Sequence, residues 1–115
     1  MKEKRLLSSL REKKRYVVFE VKSEDSFSFS NLKDAIALAY KDLFGEMGLA
    51  KSGLNFVEFE NNKGILRINN KDVKNIKASF VFLRKINKQD AIVRSLGVSG
   101  MLKRARLKFL FGGGL

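Results

Sequence analysis

The sequence contains no cysteine and no histidine. The lack of cysteine excludes disulfide bonds, thiolate metal sites and cysteine nucleophiles, and the lack of histidine removes the commonest general base and metal ligand. No Walker loop, dinucleotide-binding fingerprint or HExxH motif is present. Glu58 and Glu60 are the nearest approach to a carboxylate pair, but no neighbouring residues mark a cleft around them. We therefore expect no catalytic residues, no metal site and no cofactor bound by this chain.

Long hydrophobic runs are also missing from the start of the chain. In residues 1–15 the apolar residues never run beyond two, so neither a signal peptide nor a membrane span is predicted. We expect a soluble cytoplasmic protein with no membrane partner. A chain of 115 residues with 44% hydrophobic content suits one compact domain, which buries roughly two-thirds of the surface of its unfolded form.

Positive charge is abundant and is concentrated at the two ends of the chain. The net charge is +12; residues 1–15 hold seven Lys or Arg against two acids, and residues 84–115 hold eight against one. The nine basic and nine acidic residues between them cancel. A protein that lays two segments along a polyanion needs this distribution. An anionic membrane is the rival polyanion, but the ends lack the broad apolar face of an interfacial helix.

The periodicity of apolar residues predicts the order of elements. Alternation predicts strands at 15–22, 55–60, 64–69 and 89–96. Helical spacing predicts helices at 32–43 and 72–86, followed by a basic helix from about residue 101. The segment ASFVFL (78–83) by itself also fits a strand. Two strand-helix-strand units on one antiparallel sheet make an α/β (α+β) sandwich of the ferredoxin-like, RRM-like class, with the basic helix added.

The predicted fold has consequences for the charged ends. We expect one domain at 15–111, a basic arm at 1–14 and a glycine-rich tail at 112–115. Right-handed crossovers put the first and third strands in the centre of the sheet. The first and last strands are then neighbours, so the two basic ends should form a single patch.

The stretch Leu96–Phe111 joins a glycine-bracketed turn to the basic helix. Ser99 is the expected N-cap, and Gly97 and Gly100 allow a phosphate to approach the backbone closely. One helix side is expected to pack, and it comprises Met101, Leu102, Ala105 and Phe109. Leu107 and Leu110 interrupt the basic side. Taken by itself, this stretch fits RNA binding and an ordinary turn followed by a solvated helix about equally well. The RNA-binding candidates are the turn residues and the basic residues of both ends: Arg11, Lys13, Lys14, Arg15, Arg94, Gly97, Ser99, Gly100, Lys103, Arg104, Arg106 and Lys108.

The sheet face of RNA-recognition motifs carries stacking rings on its third strand. Here Lys63 and Gly64 match the start of that signature, but Ile65 and Arg67 occupy positions where rings are expected. Tyr16 and Phe56 are the remaining candidate stackers, alongside carboxylates expected on the same face, namely Glu20, Glu58 and Glu60. The face is therefore predicted to bind protein or to be plainly solvated. Its candidate protein-interface residues are Val18, Phe56 and Ile65.

Four segments together resemble the small Pop-type protein subunit of archaeal ribonuclease P. They are KKRYVVFEV (13–21), LFGEMGLAKSGL (43–54), GILRI (64–68) and LGVSGMLKRA (96–105). They occur in the order of that family and cover nearly the whole chain. Met101 stands where the family usually has threonine, so this chain lacks a hydroxyl at that point.

The resemblance implies a function in an RNA-based enzyme. It implies a non-catalytic subunit that binds and stabilises the catalytic RNA of ribonuclease P, which removes the 5′ leader of precursor tRNA with RNA-bound Mg²⁺. It also implies a TIM-barrel-like protein partner, a homodimer within a heterotetramer, and indirect contact with precursor tRNA. Two alternatives are a free-standing RRM-type binder of single-stranded RNA and a pure protein–protein assembly module.

Overall fold

The computed structural model describes residues 13–110, and for residues 108–110 it describes the backbone alone. Its strands are β1 (Lys14–Lys22), β2 (Asn55–Glu60), β3 (Lys63–Asn69), β4 (Lys85–Ile86), β5 (Gln89–Asp90) and β6 (Ile92–Ser99). Its α-helices are α1 (Phe29–Lys51), α2 (Val73–Phe82) and α3 (Leu102–Leu110), and a 3₁₀ turn spans Asn70–Asp72. Most of the predicted arm, the predicted tail, Arg11, and the side chains of Lys108 and Phe109 lie outside the described residues.

Four strands form one antiparallel sheet in the order β2–β3–β1–β6. The predicted α+β class is confirmed, and β1 and β3 occupy the centre as the crossover rule requires. Helices α1 and α2 pack against one face of the sheet, which we call the inner face. The opposite face is the outer face.

Helix α1 spans Phe29–Lys51 and extends beyond the predicted 32–43 at both ends. The Asn31 amide donates to Ser28 Oγ at 3.1 Å, so Ser28 is the N-cap. Gly45 has φ 80° and interrupts the helical backbone, and the helix then continues to Lys51. Leu43, the last residue of the predicted helix, lies two residues before this kink and is 40% exposed.

The main core lies between the inner face and the two helices. Its β1 members alternate as predicted, with Val17, Phe19 and Val21 pointing inward. The Phe19 ring stacks on Phe59 at 6.2 Å between centroids. A Cβ atom on Gly64 would lie 2.6 Å from the Phe19 ring, so Gly64 leaves the space for this ring.

The connection between α2 and β6 differs from the prediction. The helix ends at Phe82, because Leu83 has an extended backbone with ψ 126°. A small hairpin follows, formed by β4 and β5, and its turn residues Asn87 and Lys88 have φ of 51° and 68°. The last strand of the main sheet therefore starts at Ile92 and runs through Gly97 to Ser99, later than predicted.

Candidate nucleic-acid interface

Helix α3 lies across the outer face of the sheet, where it contacts β6, β1 and β3. Ala105 is fully buried against Val18 and Ile65, and both of these are also fully buried. Around them pack four half-buried apolar or aromatic side chains: Tyr16, Val57, Leu96 and Leu102. The predicted packing side of α3 is thus confirmed at Leu102 and Ala105, and the surface that it covers is the outer face of its own sheet.

Val18 and Ile65 lie on the outer face as predicted, but the structure leaves none of Val18, Phe56 and Ile65 open to a protein partner on that face. Val18 and Ile65 are covered by α3. The β2–β3 register shifts between Phe56 and Glu58, and the extra residue in the strand turns Phe56 to the inner face, against Phe29 at 6.4 Å. The strict alternation that put Phe56 on the outer face therefore fails at this irregularity.

The polar side of α3 carries free and paired cations. Lys103 and Arg104 are exposed and make no ion pair with another described residue. Arg106 donates from Nε to Glu58 Oε1 at 3.0 Å, which links the helix to β2. Met101 was expected to pack but is 54% exposed, and Leu107 on the basic side is 47% exposed.

The turn before α3 is arranged differently from the prediction. The first helical hydrogen bond runs from the Ala105 amide to the Met101 carbonyl at 3.1 Å, so Met101 and not Ser99 holds the N-cap position. Ser99 Oγ instead accepts from the Met101 amide and donates to the Met101 carbonyl, both at 3.1 Å. Gly97 lies within β6 opposite Val18. Ser99 therefore closes the turn that aims the helix over the sheet.

The two basic ends meet beside this turn. Strands β1 and β6 are neighbours, with Tyr16 opposite Ser99. A Cβ atom on Gly100 would lie 3.2 Å from Arg15 Nη1, so the bare glycine lets the Arg15 guanidinium lie against the turn. Lys13 is exposed one residue before β1. Strand pairing therefore places the start of β1 beside the turn that precedes α3, as the predicted strand order requires.

Lys14 and Arg94 have partners within the chain. Lys14 Nζ donates to Asn69 Oδ1, and the nearly buried Asn69 also donates to the Lys51 carbonyl at 3.0 Å. Arg94 Nε donates to Glu20 Oε1 at 2.5 Å across β1 and β6. Arg94 is therefore neutralised locally. Sequence reasoning missed Asn69, whose only signal is its position at the end of the GILRIN strand.

Neither a metal-binding cluster nor a membrane-spanning helix is found within residues 13–110. Among residues 13–110, no group of three or more acidic side chains is arranged to hold a metal ion. No helix of that part is long and apolar enough to cross a membrane. The carboxylate pair considered in the sequence is split, because Glu58 is bound to Arg106 while Glu60 is exposed at the end of β2.

Comparison with known proteins agrees with this fold. A chain in the cryo-EM structure of yeast ribonuclease MRP superposes with a TM-score of 0.66 at 15% identity, covering 84% of this chain and 85% of that one. At 15% identity, this similarity shows a shared fold.

Sequence comparison shows the family. The chain is 41% identical over 107 residues to ribonuclease P protein component 2 of Methanosarcina mazei, covering 93% of this chain and 92% of the relative. It is 38% identical over 109 residues to the component 2 of Pyrococcus furiosus, covering 93% and 91%. The model of the Rpp14/Pop5 family matches residues 15–110. Together with the fold, these matches show that the chain belongs to the Rpp14/Pop5 family.

Proposed function

We propose that this chain is a protein subunit of ribonuclease P that binds and stabilises the catalytic RNA, which removes the 5′ leader of precursor tRNA. The observation that carries the proposal is the meeting of the two basic ends at the Arg15–Gly100 contact. Exposed Lys103 and Arg104 of α3 follow directly after this contact. A patch of this kind neutralises phosphates that crowd together when RNA folds.

The chemistry of cleavage is assigned in this proposal to the RNA and its bound Mg²⁺. The protein lowers the Mg²⁺ concentration that the RNA needs, since its cations replace part of the counterion atmosphere. The chain itself binds no cofactor and supplies no catalytic group.

The experiment is cleavage of precursor tRNA by the ribonuclease P RNA of the same organism, with and without the protein, at a series of Mg²⁺ concentrations. The wild-type chain should lower the Mg²⁺ midpoint. Double charge reversal by Lys103→Glu and Arg104→Glu should remove most of that shift. A matched reversal on the opposite layer, Lys74→Glu and Lys77→Glu on α2, should keep it. If both double variants removed the shift in the Mg²⁺ midpoint equally, the proposal would be contradicted.

A free-standing RRM-type function is less well supported. Such a binder needs exposed rings on the outer face. Phe56 faces inward, and Tyr16 is half-buried among the residues that α3 covers. The pure assembly module stays an alternative outcome of the cleavage experiment, in which charge reversal would leave activity intact.

The proposed protein partners are the TIM-barrel-like subunit and a second copy of this chain within a heterotetramer. Since α3 covers the outer face, we assign the TIM-barrel-like partner to the helical layer. There, Leu38 and Phe82 are 56% and 51% exposed along a groove of about 400 Å³ between α1 and the end of α2. Leu38→Asp with Phe82→Asp should abolish co-purification with that subunit, whereas Ile92→Asp on the outer face should not.

A further inference from the structure

One end of the outer face carries a row of four polar side chains across the whole sheet. The cross-strand partners are Asn55 with Arg67, Arg67 with Tyr16, and Tyr16 with Ser99. Because directly paired residues share a face, these four lie side by side from β2 to β6. We call them the strand-end row. The row spans about 15 Å, because it crosses four strands at the usual spacing within a sheet. It lies at the end of the sheet where α3 begins.

Arg67 is the charged member of the strand-end row, and its Nε atom has no hydrogen-bond partner among the described residues. Its Nε atom is shielded from solvent and makes no hydrogen bond. Within residues 13–110 the guanidinium makes no ion pair either. A guanidinium nitrogen that is shielded from solvent and has no acceptor destabilises the fold, because it has lost its hydrogen bond to water and has gained none within the protein. Arg67 is half-buried in β3, and its Nε atom is left without an acceptor among residues 13–110.

Two other arginines on this side of the sheet, Arg94 and Arg106, are each paired with a glutamate. Arg94 is bound to Glu20 at 2.5 Å, and Arg106 is bound to Glu58 at 3.0 Å. The strand-end row contains no carboxylate, and the adjacent cross-strand pair is Lys14 with Asn69. Two cations, Lys14 and Arg67, are thus diagonal neighbours on this face with neutral residues around them. This end of the face is complementary to an anion that the described residues do not provide.

We propose that Arg67 binds a backbone phosphate of RNA, and that Tyr16 and Asn55 donate to the same phosphate or its ribose. This inference rests on the proposed function and extends it to residues on the sheet. A guanidinium offers two parallel N–H donors that match a phosphate, and such two-point contact fixes direction as well as charge. Lys103 and Arg104 on the exposed helix supply a more diffuse attraction. The row positions the RNA strand relative to α3.

The test is binding of the full-length chain to ribonuclease P RNA transcribed in vitro, measured by fluorescence anisotropy over a series of KCl concentrations. Arg67→Gln should lower affinity about tenfold, the effect of losing one charge-assisted contact. It should also reduce the log–log salt slope by about one unit. Arg67→Lys should keep the slope and still lose severalfold in affinity, because an ammonium group cannot make the two-point contact.

The matched controls are Arg84→Gln and Arg84→Lys, since Arg84 is an exposed arginine beside the helical layer. Both should bind RNA as the wild type does. Equal behaviour of the Arg67 and Arg84 variants, with wild-type RNA binding intact, would overturn this inference and leave the proposed function standing. A wild-type chain that binds the transcript no better than a DNA duplex of equal length would overturn both. If Arg67→Gln lowers the melting temperature, its loss of affinity could come from unfolding. The Arg67→Lys variant, which keeps the charge, then provides the deciding comparison.

Discussion

At the scale of single residues, Gly64 and Gly100 differ in what a side chain at their position would contact. A Cβ atom on Gly64 would lie 2.6 Å from the Phe19 ring and 2.9 Å from the Glu58 carbonyl oxygen, in a packed region. Gly64→Ala should therefore lower the free energy of unfolding by about 1–3 kcal/mol, as overpacking does. Urea denaturation measures this loss. An unchanged midpoint would contradict the packing explanation for this glycine.

Gly100 provides the matched comparison, because the described atom nearest to a Cβ placed there belongs to the flexible end of Arg15, at 3.2 Å. Gly100→Ala should leave the free energy of unfolding within about 0.5 kcal/mol of the wild type, as for a surface substitution. It should weaken RNA binding, since the guanidinium must move away from the turn. Stability loss as large as that of Gly64→Ala would show that the turn cannot accept a side chain.

Tyr40 is the residue whose ionisation is linked to folding. Burial raises the pKa of the Tyr40 phenol above its ordinary value, and the hydrogen bond from Asn75 opposes this only in part. In the unfolded chain the phenol loses its proton near pH 10. Its contribution to stability is complete below that pH and is lost as the pH rises through the higher folded pKa.

The measurement is the urea midpoint from about pH 8 to pH 12, a range that brackets the ordinary phenol pKa. The wild type should lose stability relative to Tyr40→Phe above about pH 10. The two proteins differ only in the phenol hydroxyl, so the difference between their curves isolates its contribution. Parallel curves would contradict the assignment.

At the scale of elements, α3 completes a second small core on the outer face. Ala105 is fully buried there, whereas Leu107 on the same helix is 47% exposed. Ala105→Asp should detach the helix, expose Val18 and Ile65 and cost about 1–3 kcal/mol, as burial of an unpaired polar group does. ANS fluorescence should rise with it. Leu107→Asp should change neither quantity, and equal ANS responses would contradict this docking of α3.

The same element shows where sequence reasoning succeeds and where it stops. The alternation in β1 predicts which residues enter the core because every second side chain shares a face. The apolar stripe of α3 predicts that Leu102 and Ala105 pack, but a stripe carries no information about the surface that it covers. The outer face was therefore predicted to be open, although it is covered by this helix.

Irregular elements limit the prediction in a second way. One extra residue at Val57 places Phe56 and Glu58 on opposite faces, and a period of two cannot detect such an insertion. The small β4–β5 hairpin has only two residues in each strand, too few for a periodic signal. The signal that was present is the Asn87–Lys88 pair at its turn, where both residues adopt positive φ.

At the scale of the whole molecule, the net charge of +12 overstates the positive charge that is available to bind a polyanion. Arg94 and Arg106 are each bound to a glutamate, while Lys103 and Arg104 have no acidic partner among the described residues. Counterions are released only where a cation meets a phosphate. The distribution of ion pairs therefore predicts that cations close together on one surface contribute unequally to RNA binding.

The corresponding measurement is the dependence of log affinity for ribonuclease P RNA on log KCl concentration. Lys103→Ala and Arg104→Ala should each reduce the slope by about one unit, because each removes a phosphate contact. Arg94→Ala should leave the slope nearly unchanged, since its guanidinium is held by Glu20. Glu20→Gln, which releases Arg94, should strengthen binding. Equal slope changes for Arg94→Ala and Arg104→Ala would mean that RNA displaces the glutamate, and that net charge alone determines the affinity.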